Sequence, residues 1–141
     1  MSHILIIDDD LSIQRLFKQF LEGAGYSISS ASDGREGMLL MKQKKPDLII
    51  TDIMMPEMDG LEVVRNINNT CPGLPVIAIS GGMRGMPINF LPHAKKFGAC
   101  RTFEKPVSLA ALLKAVRELL GTSAEKTDSG YLPSPGSGFS K

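Results

Sequence analysis

The sequence predicts a doubly wound α/β domain, a parallel sheet with helices on both faces. Short apolar runs of strand length recur along the chain, and each is followed by a segment with apolar residues at three- and four-residue spacing. The runs at the first, third and fourth positions each hold three or four consecutive apolar residues, as buried strands covered on both faces do. At 141 residues the chain suffices for one domain with a real core plus an appendage.

The first strand is the run over residues 4–7, "ILII". Ile13, Leu16, Phe17, Phe20 and Leu21 then repeat at helical spacing until Gly23 and Gly25 stop the helix. A short strand over 26–31 precedes a helix over 34–44, which Pro46 ends. Leu48, Ile49 and Ile50 open the third strand, residues 48–51, and the next helix begins near Gly60, where Asp59 can cap it and Glu62 can complete a capping box. Pro75 introduces the fourth strand, "VIAIS". The stretch "GGMRGMPIN" is expected to form an enlarged loop, after which Asn89 caps a short helix with Pro92 in its first turn and Gly98 at its end. The fifth strand lies around 100–103. A last helix follows Ser108, with Leu109, Leu112, Leu113, Val116, Leu119 and Leu120 on one face and Gly121 as its stop. Residues 122–141 lack apolar periodicity and are rich in Ser, Gly and Pro, so they read as a flexible tail to a folded unit of 1–121.

Composition narrows the function. A formal net charge of +1 with 22% charged residues gives no overall field towards nucleic acid or membrane. Cys71 and Cys100 lack metal-ligand spacing and read as reduced thiols. An acidic "DDD" soon after a short apolar run excludes a secretory signal or a membrane span there, which makes the cytoplasm the expected compartment. His3 reads as a strand-start residue and His93 as a surface residue of the short helix.

Within "DLIITDIMMPEMDG" the apolar run of the third strand ends on a carboxylate, Asp52. Burying an isolated carboxylate is costly, so it must sit at an edge, be paired, hold a metal or react. The other strands end in the same manner: the first in Asp8 and Asp9, the fourth in Ser80, the fifth in Glu104 and Lys105. Ligands of open parallel sheets bind outside the carboxyl ends of the strands, so these polar groups converge where a site belongs.

Taken together, "ILIIDDD", "IITDIMMPEMDGLE", "VIAISG" and "FEKPV" resemble the receiver domain of two-component response regulators over about residues 3–120. The resemblance implies a flavodoxin-like fold with five helices and strand order 2-1-3-4-5. It implies a phosphorylation-activated switch in which Asp52 takes a phosphoryl group from the phosphohistidine of a sensor histidine kinase or a histidine phosphotransfer protein. Crowded carboxylates suit Mg2+, a hard cation. By resemblance Asp9 and Asp52 ligate it, Asp8 assists through water, and the Met54 carbonyl completes the set. Lys105 holds the phosphoryl oxygens, and Ser80 follows them as the switch hydroxyl. Water then hydrolyses the acyl phosphate, so the chain is not a turnover enzyme. Output is implied through a downstream protein target or onward phosphotransfer, with no direct nucleic-acid contact and no membrane insertion.

Two features depart from the family's pattern. Thr102, with Phe103 beside it, stands where an aromatic switch residue is usual, and the connection from Ser80 to Lys105 is a few residues longer than expected. Met83 and Met86 in that connection read as packing or as an adaptable partner contact. Competing readings are a pseudo-receiver that binds without being phosphorylated, a receiver fragment of a larger effector or hybrid kinase, and a Mg2+-dependent phosphatase resembling the haloacid dehalogenases, with Asp8 and Asp10 as its Asp-x-Asp.

Overall fold

A computed structural model describes residues 2–53, 60–80 and 98–121. Five strands, β1 (His3–Ile7), β2 (Ser27–Ala31), β3 (Leu48–Asp52), β4 (Val76–Ser80) and β5 (Arg101–Glu104), form one parallel sheet in the order β2-β1-β3-β4-β5. Four helices lie among the described residues: α1 (Leu11–Gly23), α2 (Gly34–Gln43), α3 (Gly60–Thr70) and α4 (Leu109–Leu120). The expected short helix from Asn89, with Pro92 and His93, lies outside the described residues, as do Met83, Met86, the Asp59 cap and the tail over 122–141.

The uninterrupted apolar runs of β1, β3 and β4 are explained by cover on both faces. Leu5, Ile7, Ile49 and Ala78 pack with Val63, Val64 and Ile67 of α3 and with the half-buried Met38 and Met41 of α2. The alternate residues Ile4, Ile6, Ile50, Ile77 and Ile79 pack with Phe17 and Leu21 of α1 and with Leu112 and Val116 of α4. Side chains on a strand alternate between faces, so one run of three or four apolar residues serves two cores.

Helix starts follow from side-chain caps. Asp10 accepts from the backbone N–H groups of Ser12 and Ile13 at the start of α1, and Asp33 accepts from that of Glu36 at the start of α2. Ser108 caps α4 through the Ala111 N–H, and Gly121 ends it at φ 76°, a conformation that favours glycine. Helix α1 corrects one expectation. Leu16 is 45% exposed, and the inward stripe runs instead through Gln14, Phe17 and Leu21.

The edge strand β2, "SISSA", is mostly half-buried, and two of its serines share one partner. The hydroxyls of Ser27 and Ser29 lie 2.9 Å from Nδ1 and Nε2 of His3, whose backbone N–H donates to the Asp47 carboxylate. Burial and the nearby Lys44 charge hold the His3 imidazole below its ordinary pKa, against the opposing pull of Asp47.

Helix α2 lies directly on β1 at Gly37. A Cβ added there would sit 2.5 Å from Cδ1 and 2.9 Å from Cγ1 of Ile7, a fully buried β-branched residue. Gly37→Ala should therefore lower stability by about 1–2 kcal/mol in urea unfolding, overpacking outweighing the gain in helix propensity. A neutral or stabilising result would show that α2 can move off the sheet at little cost.

Candidate acidic site at the carboxyl edge of the sheet

Strand order reverses between β1 and β3, and in this class of sheet the crevice at that reversal is where ligands bind. Ile7 pairs with Thr51 across the reversal, so Asp8 and Asp52 leave neighbouring strands side by side. Asp8, Asp9 and Asp52 each offer a carboxylate oxygen within 4.8 Å of the others. Asp8 and Asp52 are 2% and 4% exposed, whereas Asp9 faces solvent.

The cation of the site comes from the end of β5. Lys105 Nζ donates to Asp52 Oδ2 at 3.2 Å and lies 3.1 Å from Asp8 Oδ2. The Lys105 backbone N–H also donates to the Ser80 carbonyl at 2.9 Å, which ties the end of β5 to the end of β4 and brings ammonium and hydroxyl strands together. Ser80 itself is buried. Asp52 is therefore both paired and at a strand end.

Electrostatics sort these groups. Burial pushes the Asp8 carboxyl above its ordinary range; the Asp10 backbone N–H and Lys105 pull it back, the Asp52 charge adds to the rise, and the rise prevails. Burial also draws Lys105 down, but Asp52 and Asp8 outweigh it and hold the ammonium above its ordinary range. Among the described residues, three clustered carboxylates and one ammonium, which touches Asp8 and Asp52, leave surplus negative charge. A set of hard oxygen donors with one member open to solvent suits a divalent cation such as Mg2+, which keeps several waters and accepts few protein ligands. Met54, expected to add a backbone carbonyl, lies outside the described residues.

Every polar atom of Asp8 is engaged. Its N–H donates to the Ala31 carbonyl at 3.0 Å, its Oδ1 accepts from the Asp10 N–H at 2.9 Å, and its Oδ2 faces Lys105. Its carbonyl accepts from Nε2 of Gln14 at 2.6 Å. Gln14 was not singled out in the sequence; the signal available is a polar residue three before Phe17 and seven before Leu21, on the inward stripe of α1. Asp10, the second acid of the phosphatase reading, is engaged as the cap of α1 and is not among the three clustered carboxylates.

Thr102 pairs with Ala78 and Phe103 with Ile79, so the two expected switch residues point to opposite faces of the sheet. Phe103 packs on the core beneath α1 and α4. At the opposite edge of the sheet, an open cavity of about 440 Å³ lined by Asp47, Cys71 and Pro75 gathers no comparable set of charges.

Comparison with known proteins gives a consistent result. Residues 4–117 match the model of the response regulator receiver domain family. The chain is 35% identical over 90% of its length to the transcriptional regulatory protein GlrR of Escherichia coli K12, and 34% identical over 83% to the response regulator MprA of Mycolicibacterium vanbaalenii. It spans 28% and 49% of those two proteins. Among solved structures it superposes on a receiver domain protein from Clostridium thermocellum with a TM-score of 0.78 at 28% identity, covering 88% of this chain and 98% of that one. A CheY-like receiver domain protein from Methanospirillum hungatei gives the same score at 29% identity, with 89% and 98% covered. With its sheet order, its clustered carboxylates and these matches, the chain belongs to the response regulator receiver domain family.

Proposed function

We propose that the protein is a phosphorylation-activated switch of a two-component phosphorelay, with Asp52 as the phosphoryl acceptor. The observation that carries this reading is the placement of Lys105 against both Asp52 and Asp8, with Asp9 in reach on the solvent side. An Asp52 carboxylate oxygen attacks the phosphorus of a phosphohistidine on a sensor histidine kinase or histidine phosphotransfer protein. The P–N bond breaks, its electron pair returns to the imidazole nitrogen, and an acyl phosphate forms. Such a transfer depends on alignment and charge neutralisation. Lys105 is placed to exchange its carboxylate contacts for phosphoryl oxygens, and the Ser80 hydroxyl lies on the adjoining strand end to follow the new group. Mg2+, held by Asp9 and Asp52 with the Met54 carbonyl and with Asp8 acting through water, would neutralise charge on the phosphoryl oxygens.

The output is protein contact or onward phosphotransfer in the cytoplasm, without direct nucleic-acid binding by this domain. No helix among the described residues is long and apolar enough to cross a membrane. With Thr102 at the aromatic position, the relay runs through Ser80 and the connection after it. A second reading, a receiver portion of a longer effector or hybrid kinase, is supported by the greater length of the curated relatives.

The test is incubation with acetyl phosphate, with and without Mg2+, followed by intact mass. One labile phosphoryl group is expected, dependent on Mg2+ and absent from Asp52→Asn. If neither acetyl phosphate nor a cognate kinase leaves an adduct, the pseudo-receiver reading replaces this one.

A further inference from the structure

We infer that Gln14 is a positioning residue for the acidic pair: its side-chain amide fixes the peptide group between Asp8 and Asp9, and so the point from which the Asp9 carboxylate reaches a cation. The inference rests on the Mg2+-dependent phosphorylation proposed for Asp52.

Gln14 is 8% exposed and sits at an inward position of α1 that its neighbours Phe17 and Leu21 fill with apolar side chains. A buried amide there is costly unless it is hydrogen-bonded. Its Nε2 lies 2.6 Å from the Asp8 carbonyl, 3.0 Å from the Ala31 carbonyl and 3.3 Å from Ser32 Oγ. The two carbonyls can only accept, so the amide must turn its NH2 towards them, and its two protons match the two shorter contacts.

The Asp8 carbonyl belongs to the peptide whose nitrogen is that of Asp9. A planar peptide held at its oxygen is held at the next Cα as well. This matters most for Asp9, because among the described residues no hydrogen bond or ion pair engages its carboxylate. The backbone is then what fixes the point from which this side chain reaches. The Asp8 carboxylate, by contrast, is also held by Asp10 and Lys105. Gln14 thus acts on the cation through a carboxylate that, among the described residues, has no other restraint.

Gln14→Met keeps the length and burial of the side chain and removes both donors. Mg2+ alone, titrated into the full chain by calorimetry, should bind the variant about tenfold more weakly than wild type, the loss typical when an outer partner of a metal ligand is removed. Phosphorylation of Asp52 by acetyl phosphate should recover when Mg2+ is raised to saturation. Phe17→Leu, a core substitution on the same helix, should lower stability without moving Mg2+ affinity. Should Gln14→Met not fold, Gln14→Ala, which leaves room for water at the two carbonyls, carries the same comparison. Unchanged Mg2+ affinity in a folded Gln14 variant, with wild type binding Mg2+ and taking the phosphoryl group, overturns this inference alone. Failure of wild type to do either overturns the proposed function and this inference with it.

Discussion

Replacing Lys105 with Met is expected to slow phosphorylation of Asp52 by acetyl phosphate about a hundredfold at saturating Mg2+, the scale of losing one preorganised donor to developing charge. The ammonium lies against Asp52 before any donor arrives, so it has only to exchange carboxylate contacts for the neighbouring phosphoryl oxygens. The same change should lower the stability of the metal-free protein by about 2 kcal/mol, because it leaves two buried carboxylates without their counter-charge. That figure is below the cost of breaking a fully buried pair because the Lys105 side chain is 21% exposed and the carboxyls can take up a proton. Time-resolved intact mass reads the first effect and urea unfolding in EDTA the second. A variant phosphorylated as fast as wild type would remove Lys105 from the chemistry.

Asp8→Asn should act on stability in the opposite direction. Asp8 is 2% exposed and faces a second buried carboxylate, so replacing its charge with an amide should stabilise the metal-free protein by about 1 kcal/mol while weakening Mg2+ binding about tenfold. The pH dependence follows from the same cause. Burial raises the folded carboxyl above its ordinary value of 3.8, so the folded chain holds that proton more tightly than the unfolded one. This contribution is fully present below 3.8 and is lost as pH rises through the folded carboxyl's range; Asp8→Asn lacks that slope. In a double-mutant cycle, Asp8→Asn should also recover part of the stability lost in Lys105→Met, since the two side chains touch. Equal and independent effects would show that Lys105 is balanced by Asp52 alone.

The parts of the fold that were legible were those where one physical rule acted alone. The runs of β1, β3 and β4 read as strands covered on both faces, and Asp8, Asp9 and Asp52 could be placed because they stand where such runs end, while Lys105 could be placed only from the end of the less apolar fifth strand. Helix α1 was read less well. Apolar spacing favoured a stripe through Leu16, but tertiary packing rotated the helix so that Gln14 points inward and Leu16 outward. Periodicity counts apolar residues and cannot value a buried amide, whose cost is offset only by carbonyls seventeen residues away and at the end of β1. The edge strand β2 was recognisable from its position between two helices more than from its composition, since Ser27 and Ser29 face His3 and not an apolar core.

The bonds that close β4 against β5 have a consequence for how this family member can vary. Cys100 N–H donates to the Val76 carbonyl and Lys105 N–H to the Ser80 carbonyl, so the two strands are pinned at both ends. These two bonds fix the ends of β4 and β5 relative to one another on either side of residues 81–97. The entropy of closing a connection grows only with the logarithm of its length, about 0.6 kcal/mol per doubling, so a few added residues cost far less than one hydrogen bond at the clamp. The connection can thus lengthen and change in sequence under weak thermodynamic constraint while the distance between hydroxyl and ammonium strands stays fixed. In evolutionary terms, the length of this connection can drift while the two strand ends that carry Ser80 and Lys105 keep their spacing.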